Sequence, residues 1–123
     1  MLYRVKGFTI VELLVVLTII ALLLTIITPN YINNVDDAKE MALKQNLTTL
    51  RYSIDKFYSD NGHYPEKLND LVERRYLRQI PIDPTNQKQE WRIIKDQFSG
   101  AGIYDIKSIN NNMGSDERRY SEW

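Results

Sequence analysis

Residues 6–27 read KGFTIVELLVVLTIIALLLTII, and the organisation of the whole chain turns on this stretch. From Phe8 to Ile27 there are twenty residues with one charge, Glu12. At a rise of ~1.5 Å per residue, a helix of that length spans about 30 Å, the thickness of a bilayer's hydrocarbon core. Arg4 and Lys6 precede the run, and Asp36 and Asp37 follow it. The positive-inside bias then puts the N-terminus in the cytoplasm and residues 30–123 across the membrane.

Three readings of this segment compete. A secretory signal has a shorter apolar core with a small-residue cleavage site behind it. Here the run is longer and ends in Thr25-Ile26-Ile27-Thr28-Pro29, which holds no such site. A plain single-pass anchor suits the length but leaves Glu12 unexplained. An ionisable side chain inside such a segment costs roughly 2.5–3.5 kcal/mol on insertion scales, although near an end it can reach the interface. The third reading accounts for more residues together, and it rests on a resemblance.

Lys6-Gly7-Phe8-Thr9-Ile10-Val11-Glu12-Leu13 resembles the type IV prepilin signature. That superfamily includes type IV pilins, the pseudopilins of type II secretion and competence pilins. The resemblance implies a leader peptide, residues 1–7, cut by a membrane aspartyl peptidase between Gly7 and Phe8. Gly7, lacking a side chain, lets the scissile backbone approach the enzyme closely. The same enzyme would methylate the new Phe8 amine. In a filament, Glu12 of one subunit would neutralise the Phe8 amine of a neighbour. Opposite charges ~4 Å apart attract by about 4 kcal/mol at an effective dielectric of 20, before desolvation. An unpaired carboxylate in lipid is penalised, so the pair would also fix register. Pro29 falls where many members carry a helix-kinking proline. A kink or melted turn is expected over 25–29, with Thr25 and Thr28 serving freed backbone groups.

Beyond Pro29, Val35, Ala38, Ala42, Leu43, Leu47, Leu50, Ile54 and Phe57 recur at spacings of mostly three and four, a helical stripe. The pattern predicts an amphipathic continuation over 29–61, packed on the rest of the chain, with a stop at Asp60-Asn61-Gly62. Glu66 to Tyr76 reads as a second helix, with Leu68, Leu71, Val72 and Leu77 inward. Ile80-Pro81-Ile82-Asp83-Pro84 is extended, then turns. Trp91–Lys95 and Ile103–Ser108 read as short strands joined through Gly100 and Gly102. The last fifteen residues read as irregular.

The head narrows the resemblance. Tyr58-x-Asp60-Asn61-Gly62-x-Tyr64-Pro65, Leu68, Leu71, Tyr76-Leu77, Ile80-Pro81-x-Asp83-Pro84 and Gly102-Ile103-Tyr104-Asp105-Ile106-Lys107-Ser108 resemble the major pseudopilin, the G component, of type II secretion. The absence of cysteine excludes the C-terminal disulfide loop common in major pilins and any cysteine-containing metal site. Major pseudopilins carry a calcium-binding loop after the second strand. The matching stretch is 109–117, where Asn110, Asn112, Ser115, Asp116 and Glu117 are the candidate oxygen donors. Only two are acidic, and Arg118-Arg119 follow. The alternative is a polar loop held by Tyr120 and Trp123 packing on the core.

Composition bounds the rest. The 123 residues suffice for one small domain, and 16 basic side chains balance 16 acidic ones. Removing residues 1–7 takes away Arg4 and Lys6 and leaves 14 basic against 16 acidic, no footprint for nucleic acid. His63, the sole histidine, sits in a turn, and neither a nucleophile elbow nor a phosphate loop appears. The chain is read as no enzyme. The expectation is an α+β, pilin-like subunit: leader 1–7, transmembrane and filament-core helix 8–28, amphipathic continuation 29–61, and globular head 62–123 with a short helix and a small antiparallel sheet. The resemblance implies a homopolymer in the periplasm of a type II secretion system that drives protein export. Its implied partners are minor pseudopilins, the prepilin peptidase, an inner-membrane assembly platform with its ATPase, and the lipid bilayer. A type IV pilin or minor pilin of a pilus or competence system is the alternative.

Overall fold

The computed structural model describes residues 6–123, with backbone alone over 30–33. Most of the expected leader, including Arg4, lies outside the described residues. One helix, α1, runs from Ile10 to Asn61. By its contacts the chain divides between Asp36 and Asp37 into two units, and α1 contributes to both.

In the first unit α1 is apolar on every face. Leu13, Leu14, Val15 and Val16, four successive residues that point to different sides of the helix, are all about half exposed. Its best 18-residue window has a mean hydropathy of 3.0, with none of it buried. A helix apolar all round needs an apolar surround. Its polar groups are already matched to one. The hydroxyls of Thr18, Thr25 and Thr28 donate to the carbonyls of Leu14, Ala21 and Leu24 at 2.7, 2.9 and 2.7 Å. Each of these three hydroxyls thus has its partner within the helix and needs no water.

The melted turn expected over 25–29 does not form, because α1 continues through Pro29. Proline lacks the N–H that would serve the Thr25 carbonyl. Thr25 and Thr28 do not replace it, since each bonds the carbonyl four residues before itself.

In the second unit α1 becomes one-sided. Leu43, Leu47, Leu50, Ile54 and Phe57 are buried, at 0–3 % exposure, while Met41 and Tyr52, on the opposite side of the helix, are open. Of the earlier stripe positions, Ala38 and Ala42 are exposed and only Val35 is half-buried. The stripe meets Leu71, Trp91, Ile103, Ile106 and Trp123, with Leu68, Tyr76, Leu77 and Tyr120 around the edge. The helix stops as its sequence directs. Gly62 takes φ 75°, and its N–H returns to the Tyr58 carbonyl at 2.8 Å.

The second helix, α2, is Leu68–Glu73, shorter than the expected 66–76. Asp70 caps it by accepting the Lys67 N–H at 3.0 Å. At the other end Arg75 turns to φ 64°, and the N–H groups of Tyr76 and Leu77 both reach back to the Leu71 carbonyl. That reversal ends the helix and drops Tyr76 and Leu77 onto the core.

Strands β1, Arg92–Lys95, and β2, Ile103–Lys107, pair antiparallel with Ile93 opposite Ile106 and a bulge at Ile94/Lys95. Gly102, at φ 89°, permits the close approach of the preceding turn. A Cβ there would meet Tyr64 Cβ at 2.8 Å, while Ile103 N–H bonds the Pro65 carbonyl at 2.7 Å.

Truncating the stripe at its centre tests this packing. Leu50→Ala should destabilise the folded head by about 2–5 kcal/mol. Chemical unfolding of the full chain in detergent, followed by tryptophan fluorescence, measures it.

Candidate functional site

Two regions carry the residues singled out above. The first is the entrance to α1. Residues 6–9 are not helical, so the Gly7–Phe8 bond lies in open chain ahead of the first turn. Phe8 is 87 % exposed, and nothing stands within 4 Å of a Cβ placed on Gly7. Thr9 and Glu12 form a reciprocal capping box. The Glu12 carboxylate accepts the Thr9 N–H at 3.0 Å, and the Thr9 hydroxyl accepts the Glu12 N–H at 3.2 Å. The Thr-x-x-Glu spacing before an apolar run signals this box, but the reading of Glu12 as a pairing charge passed over it. The cap engages Oε2 alone. Glu12 shares its stretch of surface with Phe8, Val11, Val15 and Val16. A carboxylate in that setting is costly unless a second donor reaches it.

The second region is where α1, β2 and the C-terminal loop meet. The Arg51 guanidinium donates to Asp105 Oδ1 at 2.8 Å and to the carbonyls of Ile106 and Trp123 at 3.1 and 2.9 Å. One planar fork thereby ties three segments. Asp83, fully buried, accepts the Thr85 N–H at 2.8 Å and the hydroxyls of Thr85 and Ser108. The Ile80–Pro84 and Ile103–Ser108 motifs thus converge on one carboxylate. Glu40 is 7 % exposed, and it accepts the Ser115 N–H at 2.8 Å, the Ser115 hydroxyl at 2.5 Å and the Tyr120 hydroxyl at 2.8 Å.

Comparison with known proteins follows this geometry. Residues 2–28 match the family model described as the prokaryotic N-terminal methylation motif. The type II secretion system core protein G of Escherichia coli K12 is 27% identical across 91% of this chain and 87% of that protein. Its counterpart in Klebsiella pneumoniae is 30% identical across 66% of this chain and 69% of that protein. The chain belongs to the type II secretion system core protein G family. The type IV major pilin PilA of Myxococcus xanthus is 34% identical over 55% of the chain and 31% of its own length. No solved structure matches.

For a core protein G, the expected donors in the C-terminal loop are poorly arranged for calcium. Asp116 faces Arg118 and Trp123. Its Oδ2 pairs with Arg118 Nε at 2.9 Å, and its Oδ1 accepts from Trp123 Nε1 at 3.2 Å. The Ser115 hydroxyl turns toward Glu40, to which it donates, and Asn110 Oδ1 accepts the Asn112 N–H at 3.0 Å. Among the described residues no three acidic, histidine or cysteine side chains gather closely enough to hold a metal ion. Calcium wants six to eight free oxygens with carboxylates among them, and this set does not fit it. The loop matches the other expectation. Trp123 is buried in the core, and Tyr120 packs against it edge to face at 5.1 Å.

Sequence reading missed Glu40, Arg51 and the capping role of Thr9. Glu40 and Arg51 stand among the charged residues between the stripe positions, where nothing in the sequence singles them out. Only Thr9 had a local signal.

Burial alone would push the Glu40 carboxyl up. The hydroxyls of Ser115 and Tyr120, the Ser115 N–H and the charge of Lys44 outweigh it and hold the group below its ordinary 4.5. The stabilisation is therefore full above the unfolded value and is lost as pH falls through the lower folded one. Thermal unfolding of the full chain in detergent should show a decline below pH 4.5 that is shallower in Glu40→Gln.

Proposed function

We propose that this core protein G homologue is a filament subunit of a type II secretion system. In this reading a membrane peptidase removes residues 1–7 at Gly7–Phe8 and methylates the Phe8 amine. Residues 8–28 hold the subunit in the inner membrane, with the N-terminus cytoplasmic and the head periplasmic. Subunits then polymerise into a periplasmic filament that drives protein export, together with minor pseudopilins and an assembly platform powered by its ATPase.

One observation carries the reading. The first unit of the chain is a helix apolar on every face, unburied, with one carboxylate in its first turn and an exposed, open-chain Gly7–Phe8 bond directly ahead of it. In the membrane the lipid covers that helix; in a filament, neighbouring helices do. The carboxylate gives assembly its register. Glu12 keeps its cap to Thr9 through Oε2, leaving Oε1 for the methylated amine of a neighbour. Pro29 supplies the bend that lets packed helices follow a filament axis, because its ring crowds the preceding turn.

A type IV pilus is the second reading, favoured by the match to the Myxococcus xanthus pilin. The Escherichia coli core protein G spans far more of the chain. Deleting the gene separates the two. Lost protein export with normal surface pili supports the pseudopilin, and the reverse supports the pilin.

The intact mass of the protein from its own membrane tests the processing step. A species beginning at N-methyl-Phe8 is expected. An uncut chain in the presence of the peptidase, or cleavage behind the apolar run, would overturn the proposal. Glu12→Val should leave cleavage intact and abolish most filament incorporation, as cross-linking of membranes would show. Normal filaments from that variant would remove the register role.

A further inference from the structure

The C-terminal loop of this chain has a polarity opposite to that of a cation site. A calcium loop turns oxygens inward, toward the ion. Here the loop turns donors inward. At Ser115 both the backbone N–H and the hydroxyl point at Glu40, and the Tyr120 hydroxyl joins them. All of these partners stand 75 or 80 residues away from Glu40 in sequence, so the contact closes the head from the helix to the chain's last segment.

We propose that the 110–117 loop is closed by an internal anion, the Glu40 carboxylate, in place of a divalent cation. The two devices solve the same problem, since each gathers a stretch of polar backbone around one buried charge. They compete here. An ion that drew the Ser115 hydroxyl away would remove one of the three donor groups of a carboxylate that is 7 % exposed. At Asp116 it would compete with the pair to Arg118 and the bond from Trp123. The cation would also meet Lys44, whose ammonium lies 4.7 Å over the Trp123 ring, and the Arg118 guanidinium.

Further contacts hold the loop beside this anion. Gly114 bonds the Arg118 carbonyl at 2.7 Å, closing the turn on itself. A Cβ on Gly114 would meet the Trp123 ring at 2.7 Å and Arg118 O at 3.2 Å, so the turn packs closely against the indole. Met113 and Arg119 form a backbone bridge across its base.

Purified full-length protein in detergent tests the proposal by thermal unfolding, in excess calcium chloride and in excess EDTA. The expected result is the same midpoint in both and no heat of calcium binding by calorimetry. Glu40→Gln should lower the midpoint by about 5 °C or more, with no rescue by calcium. Ser115→Ala and Tyr120→Phe, each removing one donor group, should give smaller falls that do not add to that of Glu40→Gln, which checks the assignment even if the glutamine variant folds poorly. A midpoint that rises in calcium and falls in EDTA would overturn the proposal, and so would an unchanged midpoint in Glu40→Gln. Neither outcome depends on filament assembly, so the filament reading stands or falls separately.

Discussion

One helix has to satisfy two surroundings, and the rest of the molecule is arranged around that constraint. Up to about residue 28, α1 offers aliphatic side chains in every direction, and its threonines bond their own backbone. From Leu43 on it offers a single stripe, and the opposite face is polar. The first pattern needs lipid or neighbouring helices; the second needs a folded head. A chain of 123 residues holds too little apolar surface elsewhere to cover a twenty-residue helix on all sides. Association with something outside the chain is therefore built into its composition, and in the proposed function membrane and filament take that role in turn.

The head is small, and its apolar core is correspondingly thin. Polar side chains make up for this by joining distant segments. Arg51 links α1 to β2 and to Trp123, Asp83 links the proline-rich turn to the end of β2, and Glu40 links α1 to the last loop. Each carboxylate is stable in a buried place only because donors saturate it. Among the described residues, no half-buried or buried side-chain nitrogen or oxygen that is shielded from solvent lacks a partner. Such saturation fixes one arrangement of the loops, because any other would strand a charge.

Glu12 has a local role in the chain and, in the proposed filament, an assembly role as well. In the isolated chain it completes the capping box with Thr9 and fixes where α1 begins, two residues after Phe8. The same position sets the distance from carboxylate to the Phe8 amine that processing would create. In the proposed filament a rigid first turn would keep that distance constant from subunit to subunit, so that a precise cap would serve a precise register.

What the sequence determined by itself was whatever depends on neighbours along the chain. The apolar run, the stripe from Leu43 to Phe57, the stop at Gly62, the two strands and the signature around Gly7 and Phe8 are all local patterns, and the structure keeps the elements they imply. The length of α2 was overestimated because the periodicity through Leu77 is real. It is met by a left-handed turn at Arg75, which folds those side chains inward without helix. The tertiary structure alone decided the C-terminal loop. The resemblance implies an ion site along 110–117, yet the charge that the loop's donors meet is Glu40, on a helix 75 residues earlier. No rule of spacing reaches that far. Which groups share a buried site is settled by the packing of α1 against the head, and desolvation then decides that every charge inside must find its donors there.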